Sequence, residues 1–207
     1  MGNSVNNNSK NSGNKLRKMT QIGMLSGLAT VLMLIQIPLP FFPPFYKFDF
    51  SEVPVLIGAF VLGPVAGILI ELVKILLFML ISGTTTAGIG EVANFLIGCA
   101  LVVPASIIYR RFHTRKGAIV GLVIGVVAMT IIGSILNAFV LLPVYARAFE
   151  MPISELVAMG TAVNASITSL GTFVALAVAP FNLLKGTVVS IVVLLLYKKI
   201  SPIFKMK

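Results

Sequence analysis

The 207-residue sequence predicts an all-α integral membrane protein, a bundle of six transmembrane helices, and three observations carry that reading. Hydrophobic residues make up 57% of the chain against 11% charged, with a mean hydropathy of +1.03, far from the balance of a soluble domain. Several apolar runs reach or approach the roughly 20 residues a helix needs to span a bilayer. The net charge of +10 gathers at the ends of those runs, which is the pattern of membrane topology rather than of nucleic-acid binding.

In chain order, residues 1–14 (MGNSVNNNSKNSGN) are rich in Asn, Ser and Gly without apolar periodicity, and read as a disordered cytoplasmic tail. Lys15, Arg17 and Lys18 then precede a first apolar helix at about 19–37. A signal peptide would begin similarly, but this run is long, has no small-residue cleavage pattern and continues into Pro38-Leu39-Pro40. Residues 38–52 (PLPFFPPFYKFDFSE) hold four prolines and five phenylalanines and cannot be helical. A loop this aromatic suits covering something flat and apolar, or lying on the membrane, with Lys47, Asp49 and Glu52 as polar handles. Val53–Leu62 is a short apolar helix ended by Gly63-Pro64, too short for a full span without tilt or shelter. Val65–Ile81 is the third helix; Glu71 and Lys74, three apart on one face, should pair inside the bundle, as a structural pair or for ion coupling.

The small polar loop 82–90 leads to Glu91 and Asn94 at the start of a fourth helix, about 91–109. A fifth helix at about 117–142 carries Gly117, Gly121 and Gly125 spaced by four, which lets a neighbouring helix approach closely. Asn137 lies near its far end, before Pro143 and Tyr145. Residues 146–178 read as a short surface helix near 153–160 and a loop over the bundle; a seventh span at about 163–179 is the alternative, disfavoured by its Asn, Ser and Thr content. The last helix is expected at about 180–199, with Pro180 in its first turn, where a missing N–H is harmless. A membrane domain of 15–201 and a basic tail of 202–207 complete the organisation.

Charge decides the topology. Lys10, Lys15, Arg17 and Lys18 flank the first helix; Arg110, Arg111, Arg115 and Lys116 lie between helices four and five; Lys198, Lys199, Lys205 and Lys207 fill the tail. Six helices put all three groups, and both termini, on the cytoplasmic side; seven would not. The aromatic loop, the 82–90 loop, Asn137 with Tyr145, and the stretch Ala179–Gly186 then converge at the outer side, predicting an extracellular-side ligand pocket. In Ala179–Gly186, Asn182 and Lys185 share a helix face, so the lysine is either a headgroup anchor or one wall of that pocket. Its outer placement, where positive charge is not needed for orientation, favours the pocket.

Enzyme chemistry has no residues to stand on. There is no GxxxxGK[ST], HExxH or GxSxG. The single histidine, His113, reads as a solvated loop residue beside Arg110, Arg111, Arg115 and Lys116; the single cysteine, Cys99, lies in an apolar run. No metal site and no resident cofactor are expected.

The stretches GMLSGLATVL (23–32), FYKFDFSEVP (45–54), GPVAG (63–67), NAFVLLPVY (137–145) and PFNLLKG (180–186), in this order over about 15–201, resemble the riboflavin-specific substrate-binding (S) component of energy-coupling factor (ECF) vitamin transporters. The resemblance implies capture of riboflavin at the outer face, and transport with a second membrane (T) component and two cytoplasmic ATPases. It implies that Asn137 and Asn182 read the donor and acceptor edge of the flavin ring and that Lys185 donates to a ring acceptor. Phe45 and Phe48 would cover the ring or the ribityl chain, and Lys47, Asp49 and the 82–90 loop would meet ribityl hydroxyls, with Asn94 and Tyr145 completing the set. Family members dock the partner through two small residues, usually alanines, four apart on helix one; here Gly23 and Gly27 stand there. Whether FMN is also taken stays open, as do another vitamin (thiamin or biotin) and a self-sufficient, ion-coupled carrier using Glu71 and Lys74. Membrane lipid is an expected partner, nucleic acid is not.

Overall fold

A computed structural model describes residues 2–84 and 86–204. Lys205 and Lys207 of the basic tail lie outside the described residues, as do the side chains of Lys10, Lys198 and Lys199. The chain is helical apart from one two-stranded ribbon: α1 (Gly2–Leu34), β1 (Ile37–Pro38), β2 (Lys47–Phe48), α2 (Glu52–Leu62), α3 (Pro64–Ser82), α4 (Ile89–Phe112), α5 (Arg115–Leu136), α6 (Leu142–Ala148), α7 (Ile153–Thr161), α8 (Leu170–Phe173) and α9 (Ala179–Phe204). Helix α1 runs through the 2–14 stretch expected as a tail, as an extension of the first apolar helix.

Among the described residues four helices are long and apolar enough to cross a membrane: Pro64–Ser82, Ile89–Phe112, Arg115–Ala148 and Leu170–Leu196. Helix α2, 11 residues, is apolar but shorter. The main core joins α1, α2, α3, α4, α5 and α9 around Leu56, Ile70, Leu101, Leu122 and Val189. Helices α4 and α5 touch backbone to backbone. A Cβ on Gly121 would lie 2.6 Å from the Ala105 carbonyl oxygen and one on Gly125 2.5 Å from that of Leu101, so the glycine spacing sets this contact.

Two expectations need correction. The last membrane helix does not begin at Pro180, and the fifth does not stop at 142. A π-helical turn, Asn137–Leu141, joins α5 to α6, and another, Val174–Val178, joins α8 to α9. Each is followed within two residues by a proline, Pro143 or Pro180. A proline cannot donate to the carbonyl four residues back and its ring crowds that carbonyl; a widened turn just before it relieves both, so the helix continues. The true start is Ser169, which caps α8 in a reciprocal box with Thr172. Ala179–Gly186 therefore lies inside a long helix, not at its mouth.

A second, smaller core of Leu142, Val157, Ile167, Phe173, Ala177 and Val178 builds a cap from α6, α7 and α8, with Tyr46 of the aromatic loop packed against it.

Candidate functional site

The ribbon organises the aromatic loop. β1 and β2 pair antiparallel with Ile37 opposite Phe48 and Pro38 opposite Lys47, pinching the proline-rich stretch into a closed excursion. Successive strand residues face opposite ways, so Lys47 is exposed while Phe48 is buried, 5.0 Å edge-on to Phe50. The loop lays its rings on the last membrane helix: Tyr46 is 5.0 Å and Phe42 5.4 Å, centroid to centroid, from Phe181, and Phe45 stacks 6.2 Å from Phe173. Phe45 keeps one side exposed.

Beneath these rings lie three buried polar side chains, Asn137 from the turn after α5 and Asn182 and Lys185 from α9. Asn137 and Asn182 are both buried, and Gly133, one turn before Asn137, leaves the space that Asn182 fills: a Cβ there would sit 2.8 Å from its Nδ2. Each amide is aimed by its own helix, with Asn137 Nδ2 donating to the Gly133 carbonyl (2.8 Å) and Asn182 Nδ2 to that of Val178 (3.0 Å). One turn on from Asn182, the buried Lys185 donates through Nζ to Asp49 Oδ2 at 2.8 Å. The loop reaches the site twice, because the Tyr46 hydroxyl also donates to Asn137 Oδ1 at 2.9 Å.

The electrostatics follow from these contacts. Burial works to raise the Asp49 carboxyl, but the Lys185 and Lys74 ammoniums, with hydrogen bonds from Lys185 and Ser51, outweigh it and hold the group below its ordinary range. Burial, with Tyr145 nearby, pushes the Tyr46 phenol well up, so it stays a neutral donor. Ser51 donates from both its backbone N–H (2.9 Å) and its hydroxyl to Asp49 Oδ1, and Lys74 Nζ reaches the Ser51 hydroxyl at 3.3 Å.

Lys74 leads into a second buried group. The expected pairing with Glu71 is present, N to O 2.7 Å, and Glu52 joins it at 2.8 Å. Glu52 stands at the start of α2 rather than in the loop. Both Glu71 oxygens and Glu52 Oε2 are buried without a hydrogen bond, so the Glu71 contact is one of charge, not an aligned bond.

A third polar cluster occupies the 82–90 loop. Thr84 and Thr86 hydroxyls donate to Glu91 Oε2 at 3.1 and 2.8 Å, and the Tyr145 hydroxyl bonds Thr86 while its ring stacks on Phe149. Asn94, half-buried on α4, is brought into neither network. Gly23 and Gly27 lie on an open face of α1, with no heavy atom within 4 Å of a Cβ placed on either. His113 ends α4 as an exposed left-handed cap. Among the described residues no group of three His, Cys, Asp or Glu is placed to hold a metal. A cavity of about 420 Å³, lined by Ser134, Ala138, Phe139, Leu170, Val174 and Ala179, is apolar and touches none of the expected site residues.

Sequence reasoning left Tyr46, Ser51 and Glu91 out of the site. Ser51 was readable: Asp49-Phe50-Ser51 before a helix is an Asx turn, with the aspartate accepting from the N–H two residues on. The Tyr46–Asn137 bond joins positions 91 apart and leaves no local signal.

Residues 17–197 match the family described as "ECF transporter, substrate-specific component". The chain is 37% identical over 189 residues to the riboflavin transporter FmnP of Bacillus subtilis (strain 168), covering 91% of this chain and 94% of that one. It is 39% identical over 190 residues to the riboflavin transporter RibU of Staphylococcus aureus (strain TCH60), covering 91% and 93%. The fold is similar to that of the solved S component of a bacterial ECF transporter, with a TM-score of 0.72 at 39% identity, over 92% of this chain and 99% of that one.

Proposed function

Since the chain belongs to the substrate-specific components of ECF transporters, multi-pass proteins of the cell membrane and not enzymes, we propose that it is the riboflavin-binding subunit of an ECF-type importer. It captures the vitamin at the outer face and passes it inward when docked to a T component and two ATPases. The observation that carries the ligand is full-length similarity to two proteins named riboflavin transporters, at identities of 37% and 39%. The site supports it: an aromatic roof over two aimed amides and an ammonium suits a flat ring with an edge of acceptors and one N–H.

In this reading Asn137 and Asn182 hold the ring edge and Lys185 donates to a ring carbonyl. Phe45 and Phe48 cover the ring, and Lys47, Asp49, Asn94 and Tyr145 with the 82–90 loop take the ribityl chain. Tyr46 and Asp49 already hold Asn137 and Lys185, so the ligand exchanges or extends those bonds. Six spans, α1, α2, α3, α4, α5 through α6, and α8 through α9, put both termini and the basic clusters in the cytoplasm. The open Gly23/Gly27 face of α1 docks the T component.

Riboflavin titrated into the purified chain, read by quenching of flavin fluorescence, tests the proposal: tight binding without ATP is expected. Lys185→Ala and Asn182→Ala should each weaken it by about 1–3 kcal/mol, the cost of leaving a buried partner unpaired. Unchanged affinity in both variants would remove the site assignment.

A further inference from the structure

The contacts around Asp49 have only one possible direction. An ammonium can only donate, so Ser51 Oγ accepts from Lys74 and its single hydrogen is left for Asp49 Oδ1. The Ser51 backbone N–H donates to the same oxygen. Asp49 Oδ1 is thereby satisfied twice, and Oδ2 is left to accept from Lys185. Lys74 cannot replace Lys185 as the direct counterion, because Glu52 and Glu71 hold it at 2.8 and 2.7 Å.

We propose that Ser51 and Lys74 are positioning residues of the ligand site: they form an oriented relay from the buried Glu52/Glu71 pair that keeps Asp49 ionised and aimed, so that Lys185 is held in place with donors to spare for the ligand. The role of Lys185 toward the ligand rests on the function proposed above; the relay rests on the contacts alone. The charged groups facing Asp49 are Lys185 from α9 and Lys74 from α3, and Glu71 of α3 with Glu52 at the start of α2 act on it through Lys74.

The sign of the pH effect follows. A carboxylate held below its unfolded range contributes binding and stability that are full at neutral pH and lost as acid titrates it in the folded state. Withdrawing one donor moves that loss to higher pH.

The test follows riboflavin affinity and unfolding temperature of the purified full chain from about pH 2 to pH 7, because a carboxylate held below its ordinary range is lost only below about pH 4. Ser51→Ala should move the acid limb of both curves up by about one pH unit, and Ser51→Thr, which restores the hydroxyl, should return it. Glu71→Gln lessens the competition for Lys74 and should leave the limb in place or lower it. A Ser51→Ala limb that coincides with the wild type, or an upward shift in Glu71→Gln, would overturn the relay. If Ser51→Ala does not fold, the Glu71→Gln limb still decides. If the wild type binds no riboflavin, the ligand reading falls, and the unfolding curves, which need no ligand, still judge Ser51.

Discussion

Among the described residues two lysines, Lys74 and Lys185, are buried, and they sit in neighbouring clusters that hold them differently. Lys74 is fully buried and is held on three sides, by Ser51, Glu52 and Glu71. Lys185 is 6% exposed, lies under an aromatic loop and, among the described residues, has one partner, Asp49. An ammonium has three donors. Lys74 donates to Ser51 and Glu52 and lies against the Glu71 carboxylate as well, while Lys185 donates to Asp49 alone among the described residues. Charge balance differs as well: Lys74 faces two carboxylates, Lys185 one. The comparison separates a charge that holds helices together from one that can meet a ligand, although both look alike as lysines three residues from a polar side chain on an apolar helix.

Removing the lysines should break the comparison open most widely. Lys74→Met leaves Glu52 and Glu71 buried and unpaired, and should cost about 3–5 kcal/mol of stability, read as the loss of folded protein in detergent unfolding curves. Lys185→Met should cost less, because Asp49 keeps both Ser51 donors and lies near Lys74. Its main effect should be on riboflavin affinity. Equal stability losses in the two variants, with affinity intact in Lys185→Met, would erase the distinction.

A gentler probe acts through space rather than charge. Gly98 of α4 faces the Lys74 cluster, where a Cβ would lie 2.5 Å from Glu71 Oε1 and 3.1 Å from Glu52 Oε1. Gly98→Ala should therefore destabilise by about 1–3 kcal/mol, an overpacking cost raised by carboxylates that have nowhere to go. The corresponding close approach near the proposed ligand site is Gly133 against the Asn182 amide. Gly133→Ala should displace that amide and weaken riboflavin binding more than it lowers the unfolding temperature. Reversed sensitivities at the two glycines would contradict the assignment of the two regions.

How much of this was legible in the sequence follows the range of each interaction. Four of the spans, the short α2, the Glu71–Lys74 pair and the glycine contact of α5 are written in local spacing, and the described residues have them. The Asn182–Lys185 face is three residues long and equally local. Pro180 misled for a local reason: a proline is a good helix start, and only the capping box eleven residues earlier shows that the helix had already begun. Glu52 joined a pair on another helix, and Tyr46 found Asn137, through contacts that short-range periodicity cannot encode.

The smallest effect should come from Tyr46, where loop and site share a bond. Tyr46→Phe keeps the ring against Phe181 but removes the donor to Asn137 Oδ1. Stability should fall by about 0.5–1.5 kcal/mol, the worth of one neutral hydrogen bond. Affinity should move the other way. Riboflavin no longer competes with the phenol for the Asn137 oxygen, and the ring N–H takes it without an exchange, so binding should tighten by about two- to fivefold, since the ligand now recovers a bond the free protein lacks. The same logic does not hold at Lys74, where the protein leaves nothing for a ligand to recover. A Tyr46→Phe variant that loses affinity in step with stability would place the tyrosine among the ligand's own contacts and make the loop part of the pocket wall rather than an occupant of its polar groups.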